Sequence, residues 1–363
     1  MRAVGRLIGL FSFDIGYEIN LELARQLTRE GESGEMARRR AAPAYLAYAS
    51  PPLRLRLGAR RVQLGARSPV DCAASATIHD FGAVTIVLEA PLETEVDALP
   101  GLTSTLTASG PLESEARGLI DDLYRRIAPA VTKPGLSFLV EDYYVIQVDR
   151  LDPPATVADL LAAARGPLAS ALRCEPSPLS EAEVSDVFQT QLSYYPDDLV
   201  VTEWNVAFIL DSDYADAVNV LEYLNVQLVE LRFYDALLDH RVADTYAKAA
   251  GFPRRLALMQ RPYRRAIEEL ATIRIDVATI FERIHNALKL SGSLYLSKLY
   301  ARTAERLGLR FWEESVEHKL DVLQQMYNVL VERATTARAE ALEMTIVVLI
   351  LVELVIALLA RGR

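Results

Sequence analysis

The sequence predicts an α+β head, then a long antiparallel helical hairpin or coiled-coil stalk, and last a C-terminal transmembrane helix. Strand and helix patterns alternate without a regular rhythm as far as residue 211, which is typical of an α+β domain. Apolar residues then recur at heptad spacing as far as residue 340. The next twenty or so residues are almost wholly apolar. We therefore expect three segments, with bounds 1–211, 212–340 and 341–360.

The C-terminal segment carries the strongest of these signals. From Met344 to Ala360 only Thr345 and Glu353 interrupt the apolar residues. As a helix, this run of about 17 residues spans about 25 Å, the short end of the range for crossing a membrane. A helix that is apolar on every side needs lipid or a large protein core around it. We expect a membrane anchor, and a helix buried in an oligomer core is the alternative.

Composition narrows the class of protein. The 363 residues are enough for two or three domains, and the net charge of −10 disfavours a protein that coats nucleic acid. The two cysteines, Cys72 and Cys174, fit no disulfide or metal framework and indicate a reducing compartment. The apolar stretch Leu7–Phe13 is too short for a signal peptide. We expect a single-pass membrane protein with most of the chain on the cytoplasmic side.

In the head, local patterns predict several elements. Residues 3–13 read as a strand, and Asn20 is placed to cap a short helix. Gly82 separates two strand runs, which predicts a bulge or a close backbone approach. Thr156 followed by Asp159 predicts a capping box. Further helices are expected at 112–131, 156–172 and 181–191, and further strands at 53–57, 138–148 and 198–210.

Long helices dominate the stalk. They are predicted at 213–250, 262–290 and 294–307, and from 311 into the tail. Short breaks at glycine and proline separate them, which is typical of antiparallel helical hairpins. In the last helix the seam of apolar positions continues without a break toward the C-terminus, so stalk and tail are expected to form one helix.

Four stretches together resemble the required-for-meiotic-nuclear-division family. They are HDFGAVTIV at 79–87, LEYLNVQLVELRFYDALLD at 221–239, the helical segment at 294–330, and the closing helix that holds Glu343 and Glu353. The resemblance implies a membrane-attached protein without an established enzyme activity. It also implies assembly into large homo-oligomers, since the mitochondrial relatives form them in the inner membrane and support translation by organellar ribosomes.

Motifs of catalysis do not occur in the sequence. Nucleotide-binding loops, zinc-protease helices, paired cysteines and nucleophile elbows have no match. Glu282 and His285 have the spacing of half a di-iron site, but a second such pair is missing, and Glu282 is interpreted as a solvated charge. We therefore expect no enzyme activity, no cofactor and no metal.

These observations predict a tail-anchored scaffold or interaction protein that assembles with copies of itself and with an unknown protein partner at a membrane. Two alternatives stay open. One is an enzyme or ligand-binding head with a site near the 221–239 helix. The other is a soluble homo-oligomer with the tail in its core.

Polar residues on the predicted helix at 221–239 form the first candidate site. They mix charge and amide groups with apolar neighbours, so they are either a structural network that fixes the head on the stalk or a site for a ligand or partner. The residues are Asn225, Gln227, Glu230, Arg232 and Asp235.

Arginines form the second candidate site, at the turn between two long helices. No acidic residue lies among them, so they are candidates to contact phosphates of anionic lipid or RNA, and a solvated loop is the alternative. They are Arg254, Arg255, Arg261, Arg264 and Arg265. An earlier arginine ladder, Arg54, Arg56, Arg60, Arg61 and Arg67, leaves the same two alternatives.

Glu353 is the third candidate. It lies two positions past Leu351, near the edge of the heptad seam. An isolated carboxylate facing lipid is costly, so we expect Glu353 at a helix–helix contact that helps to set the oligomeric state. The alternative is an acid that the tail tolerates because it tilts or lies at an interface.

Overall fold

A computed structural model of the chain describes residues 1–28, 51–63, 69–137, 139–251, 268, 271–279, 282 and 293–361. The chain packs as two compact units, each built from two separate stretches of sequence. The first unit comprises Met1–Phe233 and Ile280–Trp312, and the second comprises Tyr234–Thr279 and Glu313–Arg363. The predicted division at residues 211 and 212 stays a prediction.

The first unit is organised around one large sheet. Its strands, with those of a smaller sheet, are β1 Arg2–Asp14, β2 Glu18–Ile19, β3 Leu53–Val62, β4 Val70–Ile78, β5 Ala83–Glu95, β6 Val131–Thr132, β7 Glu141–Asp152, β8 Leu199–Thr202 and β9 Val206–Leu210. Seven of them form the large sheet in the order β3-β4-β5-β1-β7-β9-β8. Neighbours are antiparallel, except that β7 and β9 are parallel. Strands β2 and β6 pair separately.

Helices cover both faces of this sheet. The described helices of the chain are α1 Leu21–Thr28, α2 Leu99–Ser109, α3 Pro111–Ile127, α4 Val157–Leu172, α5 Glu181–Val187, α6 Ala215–Gly251, α7 Leu294–Arg306 and α8 Leu309–Arg361. On one face, Leu7 and Phe11 of β1 belong to a core shared with α3 and α4. On the other face, Ile8 and Leu10 belong to a core shared with α7 and the start of α6.

Burial on both faces explains the sequence of β1. A strand with one solvent-exposed face alternates apolar and polar residues, whereas a strand that is buried on both faces is apolar almost throughout. Residues 7–13 are all buried, and they include only one polar side chain, Ser12. The predicted strand at 3–13 is confirmed and extends one residue further at each end.

Two helix starts were predicted from capping residues, and both are confirmed. The side chain of Asn20 accepts a hydrogen bond from the backbone N–H of Leu23 at 3.0 Å, at the start of α1. At the start of α4, Thr156 Oγ1 accepts from the N–H of Asp159 at 3.2 Å, and the Asp159 carboxylate accepts from the N–H of Thr156 at 3.0 Å. Each bond satisfies a backbone donor that the first helical turn leaves free.

The second unit contains the end of α6 and most of α8. Lys319 on α8 forms ion pairs with Asp235 at 2.7 Å and Asp239 at 2.6 Å, both on α6. The hydroxyl of Thr245 contacts that of Tyr327 at 3.2 Å. The predicted heptad positions of α8 turn inward, since Val316, Leu320, Leu323 and Tyr327 are buried. Most of the helix predicted at 262–290 lies outside the described residues. The residues described within that range are 268, 271–279 and 282, and they are helical.

The predicted transmembrane helix at 341–360 is wrong. Within the ranges described above, no helix is both long enough and apolar enough to cross a membrane. The apolar part of α8 with described side chains runs from Met344 to Ala357, which is 14 residues including Glu353. As a helix this stretch rises about 21 Å, less than the roughly 30 Å of a bilayer's hydrocarbon core.

This finding corrects the predicted fold class. The first unit is an α/β structure with a seven-stranded sheet, and the tail continues α8 without a membrane-crossing segment in the part that is described. The predicted tail anchor, and with it the single-pass location with most of the chain on the cytoplasmic side, is corrected for the same reason.

Candidate functional site

Asn225 is the centre of a buried polar cluster in the first unit. Its side-chain amide nitrogen donates to the hydroxyl of Ser12 at 3.0 Å and to the backbone carbonyl of Glu141 at 2.8 Å. Ser12 in turn shares a hydrogen bond with Thr85 at 3.0 Å. Because a buried amide left without partners costs about 1–3 kcal/mol, these bonds specify how α6 packs on β1 and β7.

Arg232 and Glu141 form the charged edge of the same cluster. The Arg232 guanidinium donates to the Glu141 carboxylate and lies over the ring of Trp312, 5.9 Å from its centroid. Burial raises the pKa of Glu141 to about 7, although the positive charge of Arg232 acts in the opposite direction. Glu141 is therefore close to its point of titration at neutral pH.

Two further carboxyl groups, Asp14 and Glu230, lie buried beside each other. Asp14 accepts a hydrogen bond from the N–H of Gly16 at 2.9 Å, but burial raises its pKa to about 7. Burial, with the negative charge of Asp14, raises the pKa of Glu230 well above its ordinary value. Glu230 Oε1 is buried without a hydrogen-bond partner among the described residues. Since two buried like charges repel, the pair retains a proton at neutral pH.

His79 lies at the turn between β4 and β5. Its ring packs against Phe81, with centroids 5.1 Å apart, and against Tyr223 of α6 at 6.5 Å. Burial, together with the positive charge of Arg54, lowers the pKa of His79 to about 3. This histidine is therefore neutral at physiological pH, which is typical of a core histidine.

The five polar residues predicted on the 221–239 helix are not all in one place. Asn225, Glu230 and Arg232 take part in the contacts just described. The side chain of Gln227 accepts a hydrogen bond from the Tyr300 hydroxyl of α7 at 2.7 Å. Asp235 belongs to the second unit, where it accepts from Ser315 at 2.7 Å and pairs with Lys319. Whether the set also binds a ligand or partner stays a prediction.

Sequence reasoning missed Ser12, Asp14 and Glu141, which complete this cluster. A signal was present, because Ser12 and Asp14 are the polar residues in the otherwise apolar end of β1. A polar residue in a strand buried on both faces needs a partner. The sequence did not show which helix supplies that partner.

The remaining predicted residues have different outcomes. Arg254, Arg255, Arg261, Arg264 and Arg265 lie outside the described residues. Glu353 is exposed on α8. In the earlier ladder, Arg54 donates to Asn219 at 2.6 Å and Arg60 pairs with Glu115 at 3.2 Å. Among the described residues, no group of three or more His, Cys, Asp or Glu could hold a metal ion.

The strands that contribute Ser12, Asp14 and Glu141 to this cluster lie in a region that is similar to a known protein family. A family model described as "Uncharacterized protein MJ0711, N-terminal domain" matches residues 4–216. The chain belongs to this family. The MJ0711 N-terminal domain thus takes in all of the large sheet except the first two residues of β1, and it ends just inside α6. Ser12, Asp14 and Glu141 fall within it, whereas Asn225 and Glu230 lie beyond its end.

One relative is the protein named "Uncharacterized protein MJ0711" from Methanocaldococcus jannaschii. It is 26% identical to this chain over 196 residues, which are 53% of the chain and 58% of the relative. The match therefore spans little more than half of either protein. No solved structure matches the chain. The resemblance to the required-for-meiotic-nuclear-division family stays a prediction.

Proposed function

We propose that this protein is a non-enzymatic interaction protein that assembles with copies of itself through the C-terminal part of α8. The exposed apolar surface of that helix carries the proposal. Between residues 344 and 356, the large apolar side chains are 48% to 70% exposed. These side chains are Met344, Ile346, Val347, Val348, Leu349, Ile350, Leu351, Val352, Leu354, Val355 and Ile356.

The distribution of these side chains favours several identical partners. Consecutive helical residues point about 100° apart, so the run at 346–352 surrounds the helix rather than forming a stripe. A groove on a single partner would cover one side of it. Identical helices around a common axis can cover more of each other, and exposed apolar surface of this extent marks an interaction site.

Register also supports self-assembly. The heptad seam that is buried at Val316, Leu320 and Leu323 within the second unit continues into the exposed part through Val348 and Leu351. A seam of this kind is complementary to itself. The family resemblance described above implies homo-oligomers too, and it alone implies a partner related to translation.

A single substitution in the full-length chain tests the proposal. Leu351→Gln places a polar group in the seam, and it leaves the protomer's core intact because Leu351 is exposed there. Leucine and glutamine have similar helix propensities. We expect the native chain to sediment as an oligomer at micromolar concentration and the variant to dissociate at least tenfold more readily.

Glu340→Gln is the matched control, since it changes an exposed residue of the same helix outside the apolar stretch. We expect it to leave the mass distribution unchanged. A native chain that is monomeric throughout, or a Leu351→Gln chain that assembles as the native chain does, would show that α8 is not the contact between copies.

A further inference from the structure

A second feature of the first unit is a cavity of about 280 Å³ beside the start of α7. One wall is the loop from Gln191 to Tyr194, and the other is formed by Leu294, Tyr295, Lys298 and Arg302. None of these residues belongs to the polar cluster around Asn225. A cavity of this size lies just below the usual range for small-molecule sites, which begins at about 300 Å³.

Tyr194 and Tyr295 line the cavity, and Tyr195 follows Tyr194 in the same loop. Tyr194 and Tyr195 are 65% and 63% exposed, an unusual degree for two adjacent aromatic residues. The ring of Tyr194 meets that of Tyr195 edge-on, with centroids 4.8 Å apart, and that of Tyr295 at 5.7 Å. Because more than half of each of the Tyr194 and Tyr195 side chains is exposed, a flat ligand can reach the rings and stack on them.

Hydrogen bonds of Asp198 and Ser193 fix the loop that carries Tyr194 and Tyr195. The buried carboxylate of Asp198 accepts hydrogen bonds from the backbone N–H groups of Tyr194 at 2.6 Å and Tyr195 at 3.0 Å. The Ser193 hydroxyl bonds to backbone carbonyls of the same loop. The negative charge of Asp198 is therefore engaged by the backbone, and a ligand would meet a loop that is already ordered.

Two positive side chains line the other wall. Lys298 and Arg302 are four residues apart on α7, so they project from the same face of the helix. Arg302 donates a hydrogen bond to the carbonyl of Gln191, which links the two walls. Lys298 makes no ion pair or hydrogen bond with any residue that the structure describes. Its ammonium group is available to an anion.

Tyr295, another residue of the lining, carries no charge. Burial, together with the negative charges of Asp198 and Asp211, raises the pKa of Tyr295 to about 12. The phenol therefore stays protonated under physiological conditions.

We propose that this cavity binds a nucleotide. Its base stacks on the exposed ring of Tyr194, and its phosphate pairs with Lys298 and Arg302. Base stacking on aromatic rings, combined with phosphate contacts to lysine and arginine, is the usual chemistry of sequence-tolerant nucleotide recognition. The nucleotide is either a free mononucleotide or one unit of a single-stranded RNA.

Calorimetric titration of the full-length chain tests this proposal. The probes are AMP, adenosine, inorganic phosphate and an oligomer of eight adenylates, all at low ionic strength. We expect saturable binding of AMP, and weaker binding of adenosine and of phosphate because each offers half of the contacts. An oligomer that binds much more tightly than AMP identifies RNA as the source of the nucleotide, and equal binding identifies the free nucleotide.

Two substitutions locate the site, and a third is the control. Lys298→Gln removes the free cation, and we expect about tenfold weaker binding of AMP. Tyr194→Leu removes the stacking face, and we expect a loss of about fivefold or more. Arg126→Gln on α3 removes an exposed cation elsewhere and should change nothing.

All three positions are exposed, so urea unfolding curves should show that the variants fold as the native chain does. Two results would overturn the proposal. One is that neither AMP nor the oligomer saturates at millimolar concentration. The other is that Lys298→Gln and Tyr194→Leu bind as tightly as the Arg126→Gln control.

Discussion

At the scale of single residues, the buried carboxyl groups make the stability of the first unit depend on pH. An aspartate in an unfolded chain titrates near pH 4, whereas burial raises the pKa of Asp14 to about 7. Between these values the folded chain binds more protons than the unfolded chain. Stability therefore falls as pH rises through this window.

Other buried titratable groups also affect how stability depends on pH, some in the same direction as Asp14 and one in the opposite direction. Glu141 and Glu230 also have raised pKa values, so they act in the same sense as Asp14. His79 acts in the opposite sense, because its pKa is lowered to about 3 and the unfolded chain takes up its proton near pH 6.5. The positive groups beside these acids and this histidine are Arg232 and Arg54. Only a comparison with a variant isolates one group.

Asp14→Asn should isolate the contribution of Asp14 to the pH dependence of stability. The amide keeps an oxygen that can accept from Gly16, but it never ionises. We expect the unfolding free energy of the variant to fall less than that of the native chain between pH 4 and pH 7. The difference should be of the order of 1–3 kcal/mol, measured by urea denaturation at a series of pH values.

Asp121→Asn on α3 is the control, because Asp121 is exposed. Its curve should run parallel to that of the native chain. If the Asp14→Asn curve is parallel as well, Asp14 does not titrate in this window and its burial has no effect on the pH dependence.

At the scale of elements, Gly82 shows how two turns approach each other. The N–H of Ile15 donates to the carbonyl of Gly82 at 3.0 Å, so the end of β1 lies against the turn between β4 and β5. Gly82 has a φ of +102°, and a Cβ at this position would overlap the carbonyl oxygen of Gly16. Of the two predicted roles of Gly82, a bulge or a close backbone approach, the structure shows the close approach.

Gly82→Ala should therefore destabilise the protein strongly. A side chain there meets backbone atoms that cannot rotate away, and the positive φ adds strain. We expect a loss of about 3 kcal/mol or more in urea denaturation. Gly118→Ala in the middle of α3 is the matched control. Its Cβ would meet nothing within 4 Å, so we expect a gain of about 0.5–1 kcal/mol.

The two substitutions should therefore change the free energy of unfolding in opposite directions: Gly82→Ala should lower it and Gly118→Ala should raise it. Equal effects would mean that the approach of Gly82 to Gly16 does not constrain the turn.

Elements were predictable from sequence where their cause is local. Asn20, Thr156 and the apolar run of β1 act within a few residues, and the structure confirms each. Partner choice is not local. Asn225 finds Ser12 across 213 residues and Glu141 across 84, and no pattern near Asn225 contains that information. The parallel pairing of β7 with β9 was missed for the same reason.

At the scale of the whole molecule, the proposed assembly makes Glu353 a site of repulsion. In a bundle of identical helices that run parallel and in register, the carboxylates of all copies lie at one level near the seam. Like charges held close together oppose association. If Glu353 influences the oligomeric state as predicted, its charge weakens assembly. Removing that charge should therefore strengthen assembly.

Glu353→Leu should shift the mass distribution toward larger species, or lower the dissociation constant about tenfold, in sedimentation equilibrium. Glu340→Leu provides the comparison, because it adds the same side chain to the same helix at an exposed position before the apolar stretch. A distribution that is identical for the native chain and Glu353→Leu would mean that Glu353 takes no part in assembly.

The way each unit is divided along the chain has a consequence for synthesis on the ribosome. The sheet and the start of α6 emerge first. Helix α7 supplies Leu299 to the core over Ile8 and Leu10, and Leu307 follows directly after that helix; both come only after residue 293. At 5–20 residues per second, the roughly 60 residues in between take about 3–12 s to translate. For that interval the nascent sheet has one incompletely covered face, which is a substrate for chaperones.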